Sequence, residues 1–213
     1  MSSGETVRNP VFARLYDRLS GRAEDMGQRE HRLELLEGLS GRLVEVGAGN
    51  GLNFAHYPTA VDEVVAVEPE PFLRERARAA VASAPVPVRV LDGMAERLPL
   101  EDGSVDAAVV SLVLCSVPDQ AAALGELRRV LRPDGELRFY EHVRSERPAF
   151  ARFQQLADLL WPHVAGGCHT ARDSARAIEV AGFRIERCRR LTFRPCSVIA
   201  PIAPHVLGRA RRV

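Results

Sequence analysis

Beyond Arg42 the chain alternates short, continuous apolar runs with stretches of helical spacing. The runs Leu43 to Val46, Val64 to Val67, Val86 to Leu91, Val105 to Leu114 and Glu136 to Glu141 predict strands, and Leu73 to Ala82 and Ala121 to Leu131 predict helices between them. Strands with so little polar alternation are buried on both faces, so the pattern predicts an α/β fold, a mostly parallel sheet with helices on each side. Ahead of it, Val11, Leu15 and Leu19 recur every four residues, and Leu33, Leu35, Leu36 and Leu39 cluster before Gly41. They predict helices from about Pro10 to Leu39, either ordinary surface helices or a lid. After the fifth strand an insertion, Val143 to His169, carries Phe150, Phe153, Leu156, Leu159, Leu160 and Trp161. Thr170 to Ala181 predicts a helix stopped by Gly182, and Phe183 to Leu191 a strand. Pro201 and Pro204 confine a last strand to about His205 to Ala210. The expected division is a helical cap over residues 1–40 and one α/β domain over 41–213.

A chain of 213 residues has room for one substantial core. Its formal net charge of +1 creates no field that would gather nucleic acid, and the expected partner is a small molecule. All 29 basic residues are arginine, as codon bias in a GC-rich genome would produce. Cys115, Cys168, Cys188 and Cys196 form no CxxC pair and signal neither a zinc cluster nor a redox dithiol. No apolar run has the length of a membrane span, and a cytoplasmic location with reduced cysteines is expected.

The strongest local signal is Glu45-Val46-Gly47-Ala48-Gly49-Asn50-Gly51, placed directly after an apolar strand. Glycines there let the backbone turn sharply and approach a ligand that a β-carbon would block. The second strand ends in Glu68, followed by Pro69; a carboxylate at that edge can accept both hydroxyl hydrogens of a ribose. A dinucleotide fingerprint would be GxGxxG, but the spacing here is GxGxG. Glu45 would repel a diphosphate and suits a cofactor with a cationic amino-acid tail.

With Gly93-Met94-Ala95-Glu96-Arg97-Leu98-Pro99, Gly103-Ser104-Val105-Asp106 and Arg129-Val130-Leu131-Arg132-Pro133-Asp134-Gly135, the chain resembles the class I methyltransferases of the type 11 kind, which use S-adenosylmethionine (SAM) and release S-adenosylhomocysteine. The resemblance implies a Rossmann-like seven-stranded sheet in order 3-2-1-4-5-7-6 with strand 7 antiparallel. It implies that Gly47, Ala48 and Gly49 hold the methionine part beside Glu45, and Glu68 and Pro69 the ribose. Gly93, Met94 and Ala95 would lie against the adenine, and Ser111 and Leu112 would flank the reactive end. Many relatives carry an aspartate where Met94 stands; Asp92 is either its substitute or a turn former. Leu112-Val113-Leu114-Cys115-Ser116-Val117, Glu141-His142-Val143, Gly167-Cys168-His169-Thr170 and Pro204-His205-Val206 are more narrowly similar to the small alkyl-thiol methyltransferases of animal endoplasmic reticulum, without their hydrophobic N-terminal anchor.

Methyl transfer by in-line displacement needs the acceptor about 3 to 3.5 Å from the methyl carbon. A thiol acceptor must also lose its proton, and His142, after the fifth strand, is the candidate base, with Tyr140 and Glu141 as neighbours; a histidine bonding backbone at a strand end is the plainer alternative. Cys115 reads as a core thiol, and His163, Cys168 and His169 lack a fourth ligand, so no metal is expected. The aromatic stretch Phe150 to Trp161 is either the acceptor pocket or a packed helix. Alternative acceptors are a quinone, a phospholipid or an amine; alternative classes are an NAD(P)-dependent oxidoreductase and a non-catalytic SAM-binding subunit.

Overall fold

In the computed structural model, which describes residues 9–194 and 201–213, the apolar runs become strands β1 (Gly41–Val46), β2 (Val61–Val67), β3 (Val88–Leu91), β4 (Val105–Ser111), β5 (Leu131–His142), β6 (Phe183–Thr192) and β7 (Pro204–Arg212). They form one sheet in the order β3-β2-β1-β4-β5-β7-β6. Every pair from β3 to β5 is parallel, and β7 runs antiparallel between β5 and β6, opposing His142 to His205. This is the architecture the resemblance implied. Among the described residues no helix is long and apolar enough to cross a membrane.

The period-two alternation of the strands sorts their side chains onto two faces. Val44, Val65, Val67 and Val110 enter one core with α4 (Gln120–Val130) and α7 (Ser174–Val180), through Leu124, Leu127 and Ile178. Leu43, Val64, Ala66 and Val109 enter the other, with α2 (Arg29–Leu36) and α3 (Pro71–Ala80), through Leu35, Leu36 and Ala77. Both faces are therefore dry, as a parallel sheet requires.

Three expectations from the apolar pattern are corrected. The fourth strand stops at Ser111 instead of Leu114, because Leu112 takes φ 62° and the next three N–H groups leave the ladder for the Glu141 carboxylate. The helix expected from Thr170 begins at Ser174, capped by Asp173, since the Thr170 hydroxyl is held by Asp158 and the Gln154 carbonyl. The N-terminal stretch forms a pair of helices, as expected, divided at Gly27, φ 111°, into α1 (Pro10–Ala23) and α2. On α1 the expected seam is the outer one: Val11 is 77%, Leu15 49% and Leu19 47% exposed. The inward residues are Phe12, Ala13, Tyr16 and Ser20, because α1 lies on a polar turn, where Asn50 donates to Asp17 and to Ser20, both at 3.0 Å.

The insertion forms α5 (Pro148–Ala157) and the short α6 (Trp161–Val164). Gln154, fully buried on α5, ties three segments together: its amide donates to the carbonyls of Val143 (3.1 Å), Thr170 (2.8 Å) and Pro201 (2.9 Å), and its oxygen accepts Ser145 N–H at 2.7 Å. Replacing Gln154 with leucine keeps the volume and strands these backbone groups without partners. We expect Gln154→Leu to lower unfolding stability by about 2–4 kcal/mol, read from urea denaturation; a loss below about 0.5 kcal/mol would show that water satisfies those carbonyls.

Candidate functional site

At the carboxyl ends of β1, β2 and β4 the chain turns away from the sheet, and the three turns enclose a cavity of about 410 Å³. Gly47, Gly49 and Gly51 all have positive φ (67°, 57° and 83°). Gly47 and Ala48 donate their N–H groups to Val67 O at 2.8 and 3.2 Å, which presses the turn against β2. A β-carbon at position 47 would stand 2.5 Å from Val113 Cγ2, so only glycine fits both the conformation and the space.

Glu68 locks this turn. Its Oε2 accepts Gly49 N–H at 2.8 Å and its Oε1 accepts Glu70 N–H at 2.9 Å. Burial pushes its carboxyl above the usual range, and the two N–H donors pull it partly back. Each oxygen keeps lone-pair capacity toward the cavity, so Glu68 can still accept two hydroxyl hydrogens.

Of the expected cofactor residues, Gly47, Gly49, Glu68 and Pro69 line the cavity on one side. Gly93, Met94 and Ala95 line it on another, and Ser111 and Leu112 close the end. Ala48 is buried beside them without reaching the cavity, and Asp92 pairs outward with Arg74 at 2.9 Å. The carboxylate that does reach the cavity there is Glu96, whose Oε2 is buried without a partner while its Oε1 accepts Asp119 N–H at 3.3 Å. Glu45 also points away from the cavity. Its oxygens accept from Asn53 Nδ2 (2.7 Å) and Tyr57 OH (2.8 Å), and burial lifts its carboxyl to about 7.

The three expected catalytic residues stand behind the wall and do not line the cavity. Glu141, fully buried, accepts the N–H groups of Val113, Leu114 and Cys115 at 2.9, 3.0 and 3.1 Å. Tyr140 stacks on His205 and its hydroxyl meets His31 Nδ1 at 3.3 Å; burial pushes that phenol up. His142 Nδ1 lies 3.3 Å from both Cys115 Sγ and Cys168 Sγ. The aromatic stretch is also outside: Leu156, Leu159 and Leu160 are exposed, Phe150 belongs to a second cavity, and the cavity wall is instead the Gly166–Gly167 turn that follows.

Four residues escaped sequence reasoning. Phe12 and Tyr16 of α1 line the cavity, Phe12 packed where any β-carbon on Gly166 would collide with it. Glu96 lies in the run over residues 93–99, where the resemblance implies roles for Gly93, Met94 and Ala95 alone. Arg32, 4% exposed, donates to Glu24 (2.7 Å), Asn53 (3.0 Å) and weakly to Ser111 Oγ (3.5 Å). A signal for it existed: Arg32 shares a helical face with Leu35, Leu36 and Leu39, where a charge needs partners.

Among the described residues the lining thus carries three carboxylates, Glu68, Glu70 and Glu96, and no arginine. Such a cavity favours a cationic ligand and penalises a diphosphate. A glycine cradle, a ribose-accepting carboxylate and an unpartnered acidic oxygen suit SAM.

Residues 44–139 match a family described as the methyltransferase domain. The chain is 33% identical over 199 residues to thiol S-methyltransferase TMT1B of Homo sapiens, covering 90% of this chain and 80% of that protein. In fold it is similar to a SAM-dependent methyltransferase, possible histamine N-methyltransferase, from Thermotoga maritima, with TM-score 0.70, 24% identity and coverage of 95% and 99% of the two chains. It is also similar to a geranyl diphosphate methyltransferase solved with SAM, with TM-score 0.68, 20% identity and coverage of 87% and 84%.

The Glu45 carboxyl supplies a pH test. Its folded value of about 7 exceeds its ordinary 4.5, so folding takes up a proton there. The stabilisation is fully present below about 4.5 and is lost as pH rises through about 7. We expect the melting temperature of ligand-free protein to fall across that window relative to Glu45→Gln, by the equivalent of roughly 3 kcal/mol. Parallel curves for the two proteins would mean the carboxyl is ionised throughout.

Proposed function

We propose, from the fact that this chain belongs to the SAM-dependent methyltransferases, that it methylates small thiols. The observation that carries this reading is the acid-lined cavity at the glycine turn, which has no arginine among the described residues. Curated relatives named thiol S-methyltransferases, matched across most of their length, support the thiol. Bound SAM supplies a methyl group made electrophilic by its sulfonium.

The chain's own residues do the rest. Gly47 and Gly49 bring backbone against the methionine part, Glu68 accepts from the ribose, and Met94, Ala95 and Glu96 meet the adenine. Ser111 and Leu112 flank the reactive end. The rest of the lining is largely apolar, with Phe12, Val113, Val117 and Pro118, and Tyr16 packs over Gly49. Burial raises the Tyr16 phenol, which therefore stays a protonated donor at neutral pH. A water-poor wall favours a reaction in which a thiolate and a sulfonium lose their charges together. Residues 1–40 act as a cap through α1, and a cytoplasmic setting keeps Cys115, Cys168 and Cys188 reduced.

His142, Tyr140 and Glu141 support the wall, so the acceptor's own ionisation supplies the thiolate. A thiol of pKa about 8.5 is a few per cent ionised at pH 7, and kcat/KM should rise about tenfold per pH unit below the acceptor's pKa, tracking that pKa across a thiol series. A plateau at one pH for all thiols would reveal an enzyme base.

The direct test incubates the protein with methyl-labelled SAM and thiols, catechols, amines or lipid extract. Label should appear on thiols; transfer confined to another class would end the thiol reading. We further expect Glu68→Ala to raise the SAM dissociation constant at least about tenfold, since two charge-assisted bonds vanish and Gly49 loses its acceptor. An unchanged titration would place the ribose elsewhere.

A further inference from the structure

Cys115, His142 and Cys168 come from three places: the turn after β4, the end of β5, and the segment after α6. All are buried, at 0%, 8% and 5% exposure. Their ligand atoms lie within 4.8 Å of one another, and His142 Nδ1 stands 3.3 Å from each sulfur. Hydrogen bonding accounts for one of those contacts well but not for both. Nδ1 carries either one lone pair or one hydrogen, so it cannot serve two thiols with good geometry at once. Where two sulfurs and one nitrogen converge, a cation satisfies all three.

We propose that Cys115 Sγ, Cys168 Sγ and His142 Nδ1 bind one zinc ion in the wall of the cofactor cavity. The spacing suits it. Zn–S bonds of about 2.3 Å and Zn–N bonds of about 2.0–2.1 Å at a tetrahedral angle set S and N about 3.5 Å apart, so an outward shift of about 0.2 Å brings each S···N pair to that distance. Both thiol protons leave to solvent as the Zn–S bonds form, and the imidazole binds neutral, keeping Nε2–H. Two thiolates then cancel the ion's charge, and no net charge is buried. The fourth tetrahedral position is left to a small exogenous ligand.

The placement gives the ion a task. Ser116 and Gly167, the chain neighbours of Cys115 and Cys168, both line the cavity. The two segments are also joined by His169 N–H donating to Cys115 O at 2.8 Å and by Arg172 Nη1 donating to Leu114 O at 2.8 Å and Val117 O at 2.7 Å. Zinc would fasten them and fix the wall opposite Phe12. The cysteines are 53 positions apart in a chain without CxxC spacing, which is why the linear pattern carried no metal signal.

The test needs neither cofactor nor acceptor. The full chain is reduced, stripped with a chelator and titrated with Zn²⁺, then with Co²⁺ as an optical reporter. We expect one equivalent of either ion, with thiolate-to-cobalt charge-transfer absorption that Zn²⁺ abolishes. Cys168→Ser and His142→Gln should each weaken binding by about 100-fold, and Cys188→Ser, at an exposed thiol, should leave it unchanged. Circular dichroism checks that each variant is folded, and the wild-type cobalt spectrum reports thiolate ligation even if one is not. Folded, reduced wild type taking up less than about a tenth of an equivalent at tenfold excess would overturn the proposal. So would binding that survives Cys168→Ser intact or is lost in Cys188→Ser.

Discussion

Two buried carboxylates, each at the end of a strand, hold the backbone of the turn that leaves the neighbouring strand. Glu68, after β2, takes Gly49 N–H from the turn after β1. Glu141, near the end of β5, takes three N–H groups from the turn after β4. In a parallel sheet these ends fall on one edge, so each exiting turn leaves unpaired N–H groups beside its neighbour. A carboxylate there satisfies several donors at once and is stabilised against the cost of its own burial. The cavity is the space between the two clamped turns.

The N-terminal segment completes it through polar contacts added to the aliphatic packing of Leu35 and Leu36. Arg32 reaches Asn53, Asn53 donates to Glu45, and Tyr57 donates to the same carboxylate. Glu45 therefore sits behind the glycine turn, in a chain that connects α2 to β1. A charge-bearing network in the interior is stable only when every member has a partner, which couples the position of α2 to the turn it backs. Tyr16, packed near Gly49, extends that coupling to the cavity surface.

What was legible from sequence follows the range of the interactions. Gly47, Gly49 and Glu68 were readable because strand ends and tight turns are local, and local geometry leaves residue types at fixed spacing. The sheet order was readable only through the family resemblance, since pairing between distant strands leaves no periodic mark. The seam on α1 was misread because Val11, Leu15 and Leu19 do satisfy helical spacing; what faces that helix is a polar turn, and spacing alone cannot say so. Glu45 was assigned to the ligand on charge alone, when its direction is set by Asn53 and Tyr57. Cys115, His142 and Cys168 converge by tertiary folding, so no window of the chain could have joined them.

The acidity of the cavity is smaller than its three carboxylates suggest. Glu68 is already neutralised in part by two N–H groups, and Glu70 caps α3 by accepting Leu73 N–H at 2.8 Å. Only Glu96 keeps a buried oxygen without a partner. That distribution matters for turnover, because binding that holds the cationic ground state too firmly lowers KM without speeding the chemistry. Carboxylates committed to backbone donors orient and attract while presenting a softened field, and the apolar lining residues Phe12, Val113, Val117 and Pro118 add no charge of their own. The lining thereby combines a softened acidic field with an apolar surface, a setting that can attract a cation without holding it too firmly to react.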